Sequence, residues 1–278
     1  MRNIVKRFTY ALLSGGILVS IFLHGCSHEV NAQDLDAPYI ATPEEVVEAM
    51  LDIANVGPGD YVIDLGSGDG RIVIAAARRG AIGHGVDIDP ERVREAEENA
   101  LSAELSDRVI FLEEDIFDTD FSRATVVTMF LLKSVNLELR PDILNKLTPG
   151  TRVVSHMFDM GDWKPDKHKL VDTRDVFFWI IPADVKGRWR WTSAGTEFSM
   201  NIDQLFQKIQ IDIKADDTPL EVEHAELRGE RVSFNARNAG THIHYTFNGK
   251  VAGDSITGIV HIRGGNGRSI ENWNAARR

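Results

Sequence analysis

"VIDLGSGDGRIVIAA", residues 62–76, decides how the rest of the chain is read. It passes from a β-branched apolar run, through Gly66, Gly68 and Gly70, to an alanine-rich run with helical spacing. That pattern is a strand, a tight turn and a helix. Three residues without a Cβ let a ligand lie on the backbone of the turn. In an open α/β sheet, ligands bind beyond the carboxyl ends of the strands, so this turn is the place to look for a site. Two occupants do not fit. A dinucleotide turn needs its third glycine one residue later, and a phosphate cradle needs Gly-Lys-Ser/Thr. Asp64 and Asp69 argue further in the same direction. Two carboxylates repel a pyrophosphate and attract a cation bearing an amine, by a few kcal/mol at about 4 Å in a partly shielded site.

The alternation continues on both sides of the turn. "TPEEVVEAMLDIA" reads as an amphipathic helix with Thr42 as N-cap, Pro43 at N1 and Glu45 at N3, a capping box. "GHGVDID" is a second strand ending at Asp87, and Asp89-Pro90 opens a helix over 91–101. Strands at 109–112, 125–132, 152–157 and 176–181, and a helix closing with "RPDILNKLTPG" at Gly150, complete the unit. The expected fold is α/β: a doubly wound, Rossmann-like sheet, mostly parallel and covered on both faces.

After Pro182 the texture changes. Segments at 197–202, 220–227, 231–236, 242–247 and 255–262 alternate or are β-branched, with glycines at "RGE", "NAG", "NGK" and "AGD". "FNGK" is a hairpin signal. These features predict a small antiparallel β domain, a barrel or a sandwich. In "GRWRW", Gly187-x-Trp189 resembles the start of lipocalin-type barrels, with Trp189 plugging one end. The charge divides in the same place. Residues 33–185 carry 15 Lys+Arg against 30 Asp+Glu, whereas 186–278 carry 13 against 11. The expected division is a leader at 1–32, a ligand-binding α/β domain at 33–185 and a β domain at 186–278.

Arg2, Lys6 and Arg7 precede an apolar stretch over 8–23, the pattern of a secretory signal. "LHGC" ends at Cys26 and resembles a bacterial lipobox; "VNA" before Gln33 suits ordinary signal peptidase. The remaining reading is an uncleaved anchor, although the stretch is short for a span of about 20 residues. The expectation is export, either to the periplasm or as a lipoprotein attached to the membrane through a lipidated Cys26, with a cytoplasmic-membrane anchor as the alternative. Cys26 is the only cysteine, which excludes an intrachain disulfide and a Cys-based zinc site.

The later strand ends extend the case for a phosphate-free cationic nucleoside. Asp87 is placed to accept from ribose hydroxyls, and Asp115, in "FLEEDIF", from an adenine amine. Ile88 and Ile116 flank the ring. S-adenosylmethionine has a sulfonium, an amino group and no phosphate, and it is the expected cofactor. "DLGSGDGR", "GVDID" and "EDIF" resemble three successive motifs of the class I S-adenosylmethionine-dependent methyltransferases, each after a predicted strand. "PYIATP" and "LTPGTRVVSHMFDMGDWKP" are similar to the protein-lysine methyltransferases that modify ATP synthase subunit c and the adenine nucleotide translocase, and to their bacterial relatives, over residues 37–165. The resemblance implies Tyr39 and Thr42 near the methionine end of the cofactor, Ser67 within the glycine turn, and a protein lysine as methyl acceptor. Those relatives commonly carry Glu where this chain has Asp87. Their mitochondrial members have no counterpart of the β domain, so a small-molecule acceptor stays open.

An Asn/Asp-Pro-Pro-aromatic motif after the fourth strand would point to a nucleobase acceptor; "MFLLKSVN" stands there instead. With the acidic balance of 33–185, no nucleic acid is expected as partner. A lysine must be neutral when it attacks, so an apolar slot beside the methyl is expected. Its candidate walls are Tyr39, Phe130, Leu131, Phe158 and Trp163. The general base is not assigned; Tyr39, His156 and Trp163 are the catalytic candidates. His156 reads as a base, as an orienting residue or as a structural histidine. Asp159 and Asp162 read as caps or solvated groups. His242 and His244 share a strand face without a third ligand, and no metal is expected. S-adenosylmethionine is made in the cytosol, which conflicts with export. The second hypothesis is therefore an exported, non-catalytic nucleoside-binding or docking protein that keeps this fold.

Overall fold

The computed structural model describes residues 40–264 and 267–278. The expected leader 1–32, with Cys26, lies outside the described residues, and so does Tyr39.

The α/β unit runs α1 (Glu44–Ile53), β1 (Tyr61–Leu65), α2 (Arg71–Arg78), β2 (Ile82–Asp87), α3 (Pro90–Ser102), β3 (Val109–Glu113), β4 (Val126–Met129), α4 (Lys133–Lys146), β5 (Arg152–His156), β6 (Lys167–Val171) and β7 (Arg174–Ile180). The seven strands lie in the order β3-β2-β1-β4-β5-β7-β6. β1 to β5 are parallel, and β7 and β6 return antiparallel. Strand order reverses between β1 and β4, so a crevice opens beyond their carboxyl ends. Alternation along β1 sorts the core. Val62 faces α1 and α2, packed with Val46, Met50 and Ile72, while Ile63 and Leu65 face α4, packed with Leu139 and Ile143.

Two local expectations fail for the same reason, a tertiary partner. Thr42 does not cap α1. Pro43 occupies the N-cap position, and the Thr42 hydroxyl bonds His156 instead. The fourth strand ends at Met129, releasing Phe130–Leu132 into the turn before α4. By contrast Asp89 caps α3, accepting from the Glu91 amide at 2.8 Å. The edge strand β6, "KHKLV", is absent from the sequence reading; exposed on almost every residue, it carries no apolar signal.

The second unit is a closed barrel of eight strands, not a sandwich: β8 (Gly187–Ser193), β9 (Thr196–Leu205), β10 (Lys208–Ala215), β11 (Thr218–Arg228), β12 (Arg231–Asn238), β13 (Ile243–Ala252), β14 (Ser255–Gly264) and β15 (Gly267–Arg277). β15 closes on β8 through Arg277 and Trp189. Trp189 is fully buried, donates to the Val185 carbonyl at 2.9 Å, and carries the Arg277 guanidinium 4.6 Å above its ring. Trp191, Phe198, Phe234, Phe247 and Trp273 fill the interior, with neighbouring ring centroids 4.6–5.9 Å apart. "FNGK" is not a hairpin. It lies inside β13, and the turn comes at Gly253–Asp254. Gly249 answers to packing: a Cβ there would come within 2.8 Å of both Ile256 and Trp273. Gly249→Ala is therefore expected to lower stability by about 1–3 kcal/mol, the usual cost of overpacking. Urea unfolding measures it, and an unchanged midpoint would contradict this account.

Candidate active site

The glycine turn is drawn across β2. The amides of Gly66 and Ser67 both donate to the Val86 carbonyl at 2.9 Å, and the Gly68 amide donates to Asp87 Oδ2 at 2.8 Å. Asp87 Oδ1 accepts from the Asp89 amide at 3.0 Å, so its carboxylate is fixed by two backbone donors. All three glycines have positive φ. Their missing Cβ atoms answer to different neighbours, however. At Gly66 a Cβ would lie 2.8 Å from Leu131, and at Gly70 2.5 Å from Phe111. Gly70 thus allows α2 to close against β3 and α3, and is not a bare surface for a ligand.

One cleft is lined by Thr42, Asp64, Gly66, Ser67 and Asp69 from one side of the switch point, and by Asp87, Ile88, Asp115 and Ile116 from the neighbouring strand ends. Phe130 and Leu131 line it as well. Gly68 and Gly70 lie in the same turn but do not line the cleft. Asp115 Oδ1 accepts from the Phe117 amide at 2.9 Å.

Asp64 is 1% exposed, and the Thr128 hydroxyl donates to its Oδ1 at 2.7 Å. Burial pushes its carboxyl up to about 7; Asp87 and Asp69 add repulsion, and the Thr128 bond pulls the other way. Asp69 behaves differently from expectation. Arg71 grips it, with Nε 2.9 and 3.0 Å from the two carboxylate oxygens. Arg71 Nη1 also donates to the Thr42 carbonyl at 2.9 Å, tying the segment before α1 to the glycine turn. Arg71 and Thr128 were missed by sequence reasoning. Their only signals are the arginine closing "GDGR" and a lone polar residue within the buried strand "VVTM".

His156 is buried at the end of β5. Its Nδ1 lies 3.2 Å from the Thr42 hydroxyl, and its ring centroid lies 4.0 Å from that of Phe130. Burial, reinforced by Arg174, lowers its pKa to about 4. A group so weakly basic is a poor general base, so the geometry fits the orienting role. Phe158 is half-buried, with its ring 6.5 Å from Phe130. Trp163 is not in the slot: it is fully buried, and its Nε1 donates to Gln207 of the barrel at 3.1 Å. Asp159 accepts from the Gly161 amide and pairs with Lys133 at 3.0 Å, and Asp162 pairs with Arg140. His242 sits in the turn before β13, and His244 is exposed on β13 itself.

The lining fits S-adenosylmethionine. Asp64, Asp69, Asp87, Asp89 and Asp115 outnumber Arg71 and Arg92, and among the described residues no lysine lines the cleft. The Ser67 hydroxyl is buried against Gly85 of β2, with no hydrogen-bond partner among the described residues.

Comparison with known proteins agrees. Residues 64–167 match the family model of the ANTKMT methyltransferase domain. A protein-lysine N-methyltransferase of Saccharolobus islandicus is 48% identical over 152 residues, covering 52% of this chain and 93% of that protein. The adenine nucleotide translocase lysine N-methyltransferase of Mus musculus is 35% identical over 134 residues, covering 47% and 57%. A solved structure described as an RNA methyltransferase from Salinibacter ruber, in complex with S-adenosyl-L-homocysteine, is 50% identical with a TM-score of 0.52, covering 52% and 96%. Fold, cleft and relatives together define an S-adenosylmethionine-dependent class I methyltransferase. Within that class, the chain belongs to the protein-lysine N-methyltransferase family.

The raised pKa of Asp64 makes stability depend on pH. In the folded state the carboxyl holds its proton up to about 7, against 3.8 as the ordinary value. Its contribution to stability is therefore intact below about pH 4 and lost as pH rises through 7, by up to about 4 kcal/mol. Asp64→Asn should unfold at a higher urea concentration than the parent at pH 8 and at nearly the same concentration at pH 4. An equal gain at both values would show that burial of the charge is not the cause.

Proposed function

We propose that the chain methylates the ε-amine of a lysine in a protein acceptor. The observation carrying this reading is the contrast within one cleft: carboxylates at the tips of β1, β2 and β3 on one side, and Phe130 and Leu131 on the other, with His156 and Phe158 packed behind Phe130. The names of the relatives support a lysine acceptor. The RNA acceptor in the Salinibacter structure's description sits poorly with the net charge of -15 on residues 33–185, because a polyanion is repelled.

S-adenosylmethionine, when bound, supplies an activated methyl group on a positively charged sulfur. The chain's own residues position the two reactants. Asp87, fixed by the Gly68 and Asp89 amides, presents oxygens suited to ribose hydroxyls. Asp115, at the end of β3, offers a further anchor. Asp64 would supply negative charge to a bound cation, whose presence would lower its raised pKa. On the acceptor side, Phe130 and Leu131, with His156 and Phe158 packed behind Phe130, favour an uncharged amine. As the amine nitrogen bonds the methyl carbon, the carbon–sulfur bond breaks and its electron pair stays on sulfur. The ammonium so formed gives its proton to solvent, since none of the assigned residues is a suitable base.

Export through residues 1–32, with Cys26 lipidated, belongs to the same proposal. The apolar stretch over 8–23 and the "LHGC" sequence support it. Cys26→Ser should abolish lipid-dependent processing, seen as a changed mobility; unchanged mobility removes the lipid anchor.

Calorimetry with S-adenosylmethionine and S-adenosylhomocysteine tests the central reading. Both should bind the full chain, and Asp87→Ala should weaken each by about 10- to 100-fold, the value of hydrogen bonds to a charged group. No binding of either at millimolar concentration overturns the assignment. Binding of both with no methyl-lysine formed in a cell extract, followed by mass spectrometry, would favour the non-catalytic docking role.

A further inference from the structure

The loop after β5, residues 157–166, begins at the cleft and ends against the barrel. At its start Met157 adopts φ +66 although it is not glycine, a strained conformation of the kind that collects at functional sites. The Met157 amide donates to the Asp175 carbonyl at 2.7 Å. The Phe158 carbonyl accepts from Ser155 Oγ at 2.7 Å and from Asn136 Nδ2 at 3.0 Å, which places its ring beside cleft-lining Phe130.

The other end of the loop is held by the tip of the β9–β10 hairpin. One side-chain amide does most of this. Gln207 Oε1 accepts from Trp163 Nε1 at 3.1 Å, and its Nε2 donates to the Lys164 carbonyl at 2.7 Å. Phe206, itself at φ +55, stacks on Trp163 with centroids 5.9 Å apart. Arg140 links the two sides: its Nη1 donates to the Met160 carbonyl at 2.8 Å, and its guanidinium lies 5.5 Å from the centre of the Phe206 ring. The barrel therefore grips the same short loop that shapes the aromatic side of the cleft. None of these contacts touches the carboxylates on the cofactor side.

We propose that Phe206 and Gln207 form a positioning element for the methyl acceptor: the barrel fixes residues 157–163 and thereby sets Met157 and Phe158 at the acceptor side of the cleft. This rests on the methyl-transfer reading of that cleft. It gives the barrel a part in the reaction although its interior is filled by its own aromatic rings.

Gln207→Met keeps the length and bulk of the side chain and removes its hydrogen bonds to Trp163, Lys164 and Asp166. Gln210→Met, an exposed position on β10 just after the hairpin tip, is the control. Three quantities are compared in the full chain. Amide exchange of the peptide spanning 157–163 should become about 10- to 100-fold faster in Gln207→Met, with the glycine-turn peptide 64–70 unchanged. Calorimetric affinity for S-adenosylhomocysteine should stay within about twofold. Methyl transfer from labelled S-adenosylmethionine to a protein extract should need about tenfold more extract for half-saturation, with a similar maximal rate, the signature of weaker acceptor binding. Exchange at 157–163 no faster than in the control overturns the proposal. So does a fall in S-adenosylhomocysteine affinity parallel to the faster exchange, which would mean general loosening. Absence of transfer by the parent protein removes the methyltransferase reading instead, and the exchange comparison still decides whether the hairpin tip holds the loop.

Discussion

A carboxylate buried at the end of a central strand is the constraint around which the catalytic half is arranged. Asp64 has one hydroxyl, from Thr128, as its hydrogen-bond partner, and Asp69 and Asp87 stand near enough to raise its pKa. A protein that needed only stability would place an apolar residue or a neutral amide there. A cation in the cleft would favour the ionised form of Asp64, and this is the proposed role of the cofactor's charge. The surroundings follow from that requirement. Backbone amides turn Asp87 toward the same crevice, Arg71 takes up the charge of Asp69, and among the described residues the lining contains no lysine that would suit a phosphate.

The opposite side of the cleft obeys the reverse logic. His156 is held neutral by burial, and Phe130 and Phe158 lie beside it. β5 separates two environments by simple alternation. His156 faces Thr42 near α1, while Ser155 faces Asn136 of α4 and helps to fix Phe158. One strand thus serves both the segment before α1 and the loop leading to the barrel. The Saccharolobus relative matches this chain over 93% of its own length yet only 52% of this one, so about half of the chain has no counterpart there. The contacts of Trp163 and Lys164 with Gln207 join the second unit to the loop that follows β5.

The strand, glycine turn and helix at 62–76 were legible because their signals are local: β-branched runs, residues that tolerate positive φ, and carboxylates at strand ends. The same holds for the Asp89-Pro90 helix start and for the barrel strands with alternating burial, such as β8 and β12. Thus the sequence by itself determined the fold class and named most of the carboxylates that the fold gathers around the cleft. It could not determine what Thr42, Gly249 and Trp163 do. Each carries an ordinary local signal, a cap, a turn and an aromatic wall, and each is claimed by a partner distant along the chain: His156, Trp273 and Gln207. Long-range hydrogen bonds and packing are set only when the whole chain has closed, and they outweigh local preferences of about 1 kcal/mol. For that reason the neutrality of His156, the grip of Arg71 on Asp69 and the closure of eight strands into one barrel were decided by the tertiary structure alone.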